Sequence, residues 1–315
     1  MKYVDMHCDT ITRLYVDNGN LKSNALHNDL NKMKKGECLL QNFAIFTNIG
    51  YTDSKFTYDS INYYYSEIKK NSDIIKPVYK YEDIDDSYIN SMLTLEEGSV
   101  VDGNLDNLKK FYDLGVRMIT LTWNYPNTLG YPNIDATNPN HSLHDFNTKD
   151  GLSDFGKDFV RRCNNLGIIV DVSHLSDKGF YDVLDISNVP FVASHSNARN
   201  ICKAGRNMSD DMIVKLAKKG GVMGLNYCAA FIEDNNETYT SIEAMIKHIK
   251  HIVNIGGIDC IGLGSDFDGI GNGLEIKDAS GLPLLYEALK KDFTEEDIEK
   301  IFYKNVLRVY KECLK

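Results

Sequence analysis

His7 and Asp9 are the first residues in the chain whose types and spacing suggest metal chemistry; they lie in the segment V-D-M-H-C-D at positions 4–9. Residues two apart on a β-strand share one face. An imidazole and a carboxylate at the end of a first strand can therefore bind one cation together. An H-x-D triplet also arises by chance, and a buried polar pair or a helix N-cap is the alternative explanation. The metal interpretation depends on whether other strands end in similar residues.

Several later predicted strands end in the same residue types. These residues are Glu96 and Glu97 after the third strand, His174 after the fifth, His195 after the sixth and Asp266 after the eighth. Only one of Glu96 and Glu97 can face inward. Strand alternation predicts further residues on the same faces, which could form the interior of a barrel: Asp5 with His7 and Asp9, Val170 and Val172 with His174, Phe191 and Ala193 with His195, and Gly262 and Gly264 with Asp266.

Imidazole and carboxylate donors without a thiolate suit zinc or a related divalent ion. Three histidines and two or three carboxylates exceed the needs of one tetrahedral ion, and a bridging carboxylate indicates two ions about 3.5–4 Å apart. Such a pair makes hydroxide available near neutral pH and polarises a carbonyl under attack. Any one histidine alone could instead be a core residue bonded to the backbone. His141 and His144 could line a pocket, whereas His248 and His251 fit a solvated or helix-packing face.

The elements that must position these residues alternate between strands and helices. Short apolar strands are predicted at 4–9, 39–47, 91–97, 116–123, 168–174, 190–195, 222–227 and 260–266. Helices are predicted at 56–72, 104–114, 153–166, 176–184, 209–219 and 241–255, and a long irregular loop at 124–152. Strands that are apolar on both faces are typical of a parallel sheet. Eight of them predict a single (β/α)8 barrel over residues 1–315, with its active site at the carboxyl ends of the strands. The rival is a doubly wound open sheet, but no G-x-G-x-x-G follows an early strand.

Composition excludes several classes of function. The 315-residue chain has a net charge of −10 and no basic run, so nothing suggests nucleic acid or an anionic membrane as a partner. Seven cysteines without C-x-x-C pairs argue against a disulfide framework and a cysteine zinc site. No apolar run approaches the ~18 residues of a spanning helix, and no signal peptide is visible. We therefore expect a cytoplasmic protein.

Eight segments together resemble the membrane dipeptidase (renal dipeptidase) family, metallopeptidases of the amidohydrolase superfamily. They are V-D-M-H-C-D, L-T-L-E-E-G, L-G-V-R-M-I-T-L-T-W-N, G-L-S-D-F-G, L-G-I-I-V-D-V-S-H, A-S-H-S-N-A-R, G-R-N-M-S-D-D and G-L-G-S-D-F-D-G. The resemblance extends over nearly the whole chain. It implies a dinuclear zinc dipeptidase in which a metal-bridging hydroxide attacks the peptide bond. Tolerance of a D-residue at the C-terminal position and homodimer formation are also common in the family.

The resemblance further implies a role for each residue that matches a family motif. His7 and Asp9 resemble the ligands of the first zinc, His174 and His195 those of the second, and Glu96 the bridging carboxylate. Asp266 matches an aspartate near the bridging water, a candidate proton shuttle. Arg206 matches an arginine that holds the terminal carboxylate of the substrate, a task suited to a guanidinium fork.

Two positions depart from the family pattern. Trp123, in L-T-W-N, stands where the animal enzymes have a histidine, and Glu97 stands where the family often has glycine. Tryptophan cannot be a general acid at neutral pH, although its indole N–H can donate a hydrogen bond. Either the metals alone polarise the carbonyl, or Asn124 or a loop group helps, so Trp123 and Asn124 are candidate substrate-binding residues. The alternative functions are a related amidohydrolase acting on N-acyl amino acids, other small amides or lactams, and a catalytically silent ligand-binding barrel.

Overall fold

The computed structural model describes residues 1–48 and 54–315. Its strands are β1 Tyr3–Asp5, β2 Cys38–Phe46, β3 Ile75–Pro77, β4 Ile89–Glu96, β5 Val116–Thr120, β6 Ile169–Asp171, β7 Val192–Ala193, β8 Val222–Leu225, β9 Tyr239–Thr240, β10 Ile261–Leu263 and β11 Gly273–Leu274. Its α-helices are α1 Thr10–Asp17, α2 Leu30–Lys35, α3 Ser54–Lys70, α4 Leu105–Asp113, α5 Asp154–Leu166, α6 Asp177–Ile186, α7 Asp210–Lys218, α8 Ala229–Ile232, α9 Ile242–Gly256, α10 Leu282–Leu289, α11 Glu295–Glu299 and α12 Asn305–Cys313.

Eight parallel strands close into a barrel in the order β1-β2-β4-β5-β6-β7-β8-β10. The ring is closed by β10 against β1 and by seven consecutive residue pairs between β2 and β4. The predicted (β/α)8 barrel is therefore confirmed. The sequence did not predict β3, which pairs with the first residues of β4. It also did not predict the two-stranded sheet of β9 and β11.

The buried apolar residues form two layers. One layer lies between the strands and the surrounding helices and contains residues such as Phe43, Ile119 and Phe159. The other fills the barrel and takes residues from seven of its strands: Val4, Met6, Leu40, Met92, Met118, Ile169, Val192 and Val222. Helix α12 adds Val306, Val309 and Tyr310 to this interior layer, so it closes the end of the barrel where the strands begin.

The strands end earlier than the sequence predicts because buried aspartates accept the hydrogen bonds of the next backbone groups. β6 stops at Asp171, whose Oδ1 accepts from the backbone N–H of Ser173 at 2.9 Å. β1 stops at Asp5, whose Oδ1 accepts from the N–H of His7 at 3.2 Å. Such side-chain bonds compete with a strand ladder. The backbone then leaves the extended conformation, with φ of 70° at His174 and 61° at Asp266.

These early ends make part of the alternation argument wrong. The sequence predicted that Val170, Val172, Phe191 and Ala193 share the barrel interior with the histidines that follow them. All four instead pack in the outer layer, and their neighbours Ile169 and Val192 fill the interior. His174 and His195 lie beyond the last paired residues, so alternation does not extend to them.

All seven cysteines are free thiols, as the absence of paired motifs predicted. Among the helices at 1–48 and 54–315, none has the length and apolar character needed to cross a membrane.

Tyr310 offers a test of the closed end of the barrel. Its ring is fully buried, and its hydroxyl lies 3.0 Å from Asn42 Oδ1, to which it donates. We expect Tyr310→Ala to lower the free energy of unfolding by about 3–5 kcal/mol because it leaves a large cavity. Tyr310→Phe should cost only about 1 kcal/mol, for the lost hydrogen bond. Urea unfolding followed by circular dichroism measures both. Tyr239→Ala, at a tyrosine that is 47% exposed, is the control; an equal loss there would contradict this packing.

Candidate metal centre

The predicted ligands converge at the end of the barrel where the strands finish. Glu96 is the last residue of β4, and the other candidates lie two to four residues beyond β1, β6, β7 and β10. Three groups of side chains each bring ligand atoms within 4.8 Å of one another: His7 with Asp9 and Glu96, Glu96 with His174 and His195, and His7 with His195 and Asp266. Five strands of the barrel therefore contribute to one cluster.

Glu96 lies at the centre of this cluster and is 3% exposed. Its Oε2 is 3.4 Å from His7 Nε2, while its Oε1 is 3.1 Å from His174 Nε2 and 3.5 Å from His195 Nε2. The two carboxylate oxygens thus face two different sets of imidazoles. This is the arrangement that a carboxylate bridging two cations requires.

The rings of His174 and His195 point unprotonated nitrogens at each other. His174 Nδ1 is 2.7 Å from Asn124 Oδ1, which accepts its proton. His195 Nδ1 is 2.7 Å from Ser194 Oγ, and the Ser194 hydroxyl donates to Asp171 Oδ2 at 2.6 Å. Since the only proton of that hydroxyl is used, His195 Nδ1 must carry its own. Both Nε2 atoms, 3.1 Å apart, therefore present lone pairs, as metal-binding histidines with an oriented second nitrogen do.

Among the described residues, neither ring nitrogen of His7 has a hydrogen-bond partner, although His7 is 1% exposed. Its ring stacks on that of His195 at 3.8 Å, and its Nε2 lies 3.5 Å from Asp9 Oδ2. Leaving a buried polar atom without a partner costs about 1–3 kcal/mol. A cation held between this nitrogen and the adjacent carboxylates removes that cost, so the donor set fits a metal.

The electrostatics of the cluster agree with that fit. Burial raises the pKa of Asp9 to about 6 and that of Asp266 to about 7. Burial, and after it the charge of the neighbouring Arg206, lower the pKa of His174 to about 4. Burial also lowers the pKa of His195. Burial thus favours neutral His174 and His195, the form that binds a metal, but makes ionised Asp9 and Asp266 costly, and divalent cations would offset that cost.

Asp266 is held close to this cluster by a strained turn. Its Oδ2 accepts from Asn226 Nδ2 at 2.8 Å, and its Oδ1 lies 4.0 Å from His7 Nε2. A Cβ on Gly269 would lie 2.3 Å from Asp9 Oδ2 and 2.5 Å from Asp266 Oδ1, so a larger residue there would displace these two carboxylates. Positive φ angles occur at Glu97, His174, Asp266 and Asp268. Such strain costs about 1–3 kcal/mol per residue and clusters at functional sites.

Arg206 lies beside His195 and is 4% exposed. Its Nη1 donates to Ser196 Oγ and its Nη2 to the carbonyl of His195, both at 2.9 Å. Its Nε has no hydrogen-bond partner within the described chain. The two Nη contacts therefore hold the guanidinium in place, and the Nε–H can donate to a ligand.

The predicted substrate-binding residues Trp123 and Asn124 begin the loop after β5. Asn124 contacts His174, as described above, so its amide orients a candidate ligand. The Trp123 ring is half-buried, with its centroid 6.2 Å from that of His174 and 5.1 Å from that of Phe46. Both residues lie next to the cluster.

The remaining histidines lie outside the cluster. His141 and His144 are exposed in the long loop, where their rings face backbone carbonyls. His248 is buried between the N–H of Ala198 and the carbonyl of Ile232, and His251 lies 2.6 Å from Asp210 Oδ1. The helix-packing interpretation of the last two is confirmed.

Sequence reasoning missed residues that orient the side chains of this centre. These are Asp171 and Ser194 behind His195, and Asn226 behind Asp266. The serine directly before His195 was a visible signal in A-S-H-S. The contact of the Asn226 amide with Asp266 had no sequence signal, because it joins residues far apart in the chain.

The chain matches the family model described as membrane dipeptidase (peptidase family M19) over residues 1–314. An uncharacterized dipeptidase of Schizosaccharomyces pombe is 33% identical over 306 residues, which cover 91% of this chain and 72% of that protein. A second one is 37% identical over 230 residues, which cover 71% of this chain and 53%, about half, of that relative.

Solved structures agree with these matches. A dipeptidase described as a metallopeptidase of family M19 has a TM-score of 0.91 and 25% identity, covering 100% of this chain and 99% of its own. A metallopeptidase of Rhodobacter sphaeroides, liganded with a phosphinate mimic of the dipeptide L-Ala-D-Ala, has a TM-score of 0.91 and 24% identity, covering 99% of both chains. The chain therefore belongs to the membrane dipeptidase family, peptidase family M19, and is a metallo-dipeptidase that hydrolyses peptide bonds.

Proposed function

We propose that this protein hydrolyses free dipeptides with the help of two zinc ions. The observation that carries the proposal is the position of Glu96, whose two oxygens belong to two groups of ligand atoms. His7 and Asp9 would hold one ion, His174 and His195 the other, and Glu96 both. Each group combines imidazole with carboxylate and has no thiolate, a donor set suited to zinc.

When bound, the two ions would supply a water activated at neutral pH and polarise the scissile carbonyl. The residues of the chain orient the substrate and move the proton. Asp266 faces both His7 and His195 and is fixed by Asn226. In this position it accepts the proton of the attacking water and passes it to the leaving amine.

Arg206 provides the reason for a small substrate. Its guanidinium is buried beside His195, and a carboxylate that pairs with it needs little space. A terminal carboxylate that pairs with Arg206 would place the adjacent peptide bond of a short peptide near His195 and the cations. Arginine also binds carboxylates with fixed geometry.

We further propose that a D-residue is accepted at the C-terminal position. The Rhodobacter sphaeroides relative of the same fold holds a mimic of L-Ala-D-Ala. A related amidohydrolase acting on N-acyl amino acids is the second candidate. The aromatic side chain of Trp123 beside His174 favours it, because an acyl group needs no charged partner at its end.

Metal content tests the two-ion proposal directly. After zinc loading and removal of excess metal, the wild-type chain should hold about two ions. His7→Ala and His195→Ala should each lower this number, since each removes one donor nitrogen. Inductively coupled plasma mass spectrometry measures the ratio. His141→Ala, at an exposed histidine of the long loop, is the control. An unchanged ratio in both site variants would overturn the proposal.

A substrate panel tests the reaction and the role of Arg206. We expect cleavage of L,L- and L,D-dipeptides, and weaker cleavage of N-acyl amino acids. Arg206→Lys should lower kcat/KM for free dipeptides by about 10–100-fold, because a hydrogen bond to the charged carboxylate, worth about 1.5–3 kcal/mol, is lost. Dipeptide amides, which lack the carboxylate, should show no further loss. Faster turnover of N-acyl amino acids than of every dipeptide would instead favour the second candidate.

Asp266→Asn tests proton transfer separately from metal binding. The amide can still accept from Asn226 but cannot take up a proton. We expect kcat to fall by about 10²–10⁴-fold while the zinc content stays at the wild-type value. If kcat is unchanged with both ions bound, another group moves the proton. A parallel loss of zinc would show that Asp266 is a ligand.

A further inference from the structure

Glu97 follows the central Glu96 in an unusual backbone conformation. Its backbone φ is 93°, a value that residues other than glycine rarely adopt, and its side chain is fully buried. Positive φ at a non-glycine residue costs about 1–3 kcal/mol unless the surroundings stabilise it. The contacts of this side chain therefore need an explanation.

The carboxylate of Glu97 connects the end of β4 to the loop after β5. Oε1 accepts from the Ser99 N–H at 3.0 Å and from Asn127 Nδ2 at 2.5 Å. Oε2 accepts from the backbone N–H of Trp123 at 3.1 Å. All of these partners are donors, which matches an acceptor-only carboxylate. Two of them belong to the loop that borders the metal centre.

The residues held in this way face the candidate ligands. Trp123 is fixed at its backbone by Glu97, and the next residue, Asn124, accepts the proton of His174 Nδ1 at 2.7 Å. The indole lies against Phe46 and Tyr125, with ring centroids 5.1 and 5.7 Å apart. We call these three side chains, Phe46, Trp123 and Tyr125, the aromatic wall. Because Trp123 is only half-buried and its ring centroid lies 6.2 Å from that of His174, its exposed part borders the candidate metal centre.

We propose that Glu97 is a positioning residue that fixes both the orientation of His174 and the place of the aromatic wall. The wall then determines specificity, favouring dipeptides with an aromatic or branched apolar side chain over those with a charged or very small one. This specificity rests on the proposed dipeptidase function, whereas the positioning of Trp123 and His174 does not. Aromatic side chains supply large apolar contact areas and ring-to-ring contacts worth about 0.5–1.5 kcal/mol.

Trp123 is the single tryptophan of the chain, so its fluorescence reports on this loop alone. In wild-type protein, titration with Co²⁺ should quench the emission in step with metal binding, because the indole neighbours His174. In Glu97→Gln and Glu97→Gly, the emission should shift to the red and acrylamide should quench it more strongly. Co²⁺ affinity should fall by about 10-fold or more, the usual effect of losing a residue that orients a metal ligand.

Glu67→Gln is the matched control. Glu67 is also a buried glutamate that accepts a backbone N–H, from Leu21 at 2.8 Å. Glu67→Gln is expected to lower the thermal stability without changing the tryptophan emission or the Co²⁺ affinity. If folded Glu97→Gly keeps the wild-type emission and Co²⁺ affinity, the positioning role is wrong. Should both Glu97 variants fail to fold, absence of Co²⁺ quenching in the wild-type protein would overturn it.

Trp123→Ala tests the specificity step. The ratio of kcat/KM for a dipeptide with a phenylalanine residue to that for Ala-Ala should fall by about 10-fold, in the range expected for losing an apolar contact. The zinc content should stay at the wild-type level. An unchanged ratio in an active variant would overturn the aromatic wall as a specificity determinant. If the wild-type enzyme cleaves no dipeptide at all, the proposed function fails, while the fluorescence result still decides the role of Glu97.

Discussion

The structure depends on one constraint, which is that ionisable side chains are held close together in a buried site. Three carboxylates and three imidazoles lie in one buried cluster, with contacts of 3.1 to 4.0 Å between nitrogens and oxygens. In water such groups would separate, but here the rigid ends of five strands hold them together. Burial without compensating positive charge costs several kcal/mol per ion. The stability of the barrel therefore has to offset the cost of holding this cluster together.

A polar layer beneath the cluster makes this arrangement specific. Asp171 accepts from Ser194, whose oxygen faces the ring of His195, and Asp5 accepts from Ser265 at 2.6 Å on the other side of the barrel. Both aspartates also bind backbone N–H groups just beyond their strands. The same side chains thus end the strands and orient the residues that follow. The strands are therefore short, while the residues that follow them at the carboxyl end of the barrel are held by hydrogen bonds.

The sequence was sufficient to predict the barrel and to predict that the candidate ligands follow its strands. Apolar runs between amphipathic helices identify buried parallel strands, and the residue types at their ends indicate cations. The directions of the side chains could not be predicted in the same way. Alternation fails once Asp171 and Asp5 end the pairing, and left-handed conformations at His174 and Asp266 turn the chain toward the site. The contacts of Asn124 and Glu97 depend on the path of an irregular loop. Because this loop has no sequence periodicity, the sequence does not predict these contacts.

Closure of the barrel has a consequence for how the protein forms. β1 hydrogen-bonds to β10, and near this seam the Thr10 hydroxyl donates to Asp268, 258 positions away. Contacts between residues so far apart in sequence are entropically costly to form, because a long loop must close before they can stabilise the fold. His7 and Asp9 thus meet Asp266 only after most of the polypeptide has left the ribosome. The group of His7, Asp9 and Glu96 is complete once residue 96 has been synthesised, whereas the group of Glu96, His174 and His195 requires the chain as far as position 195.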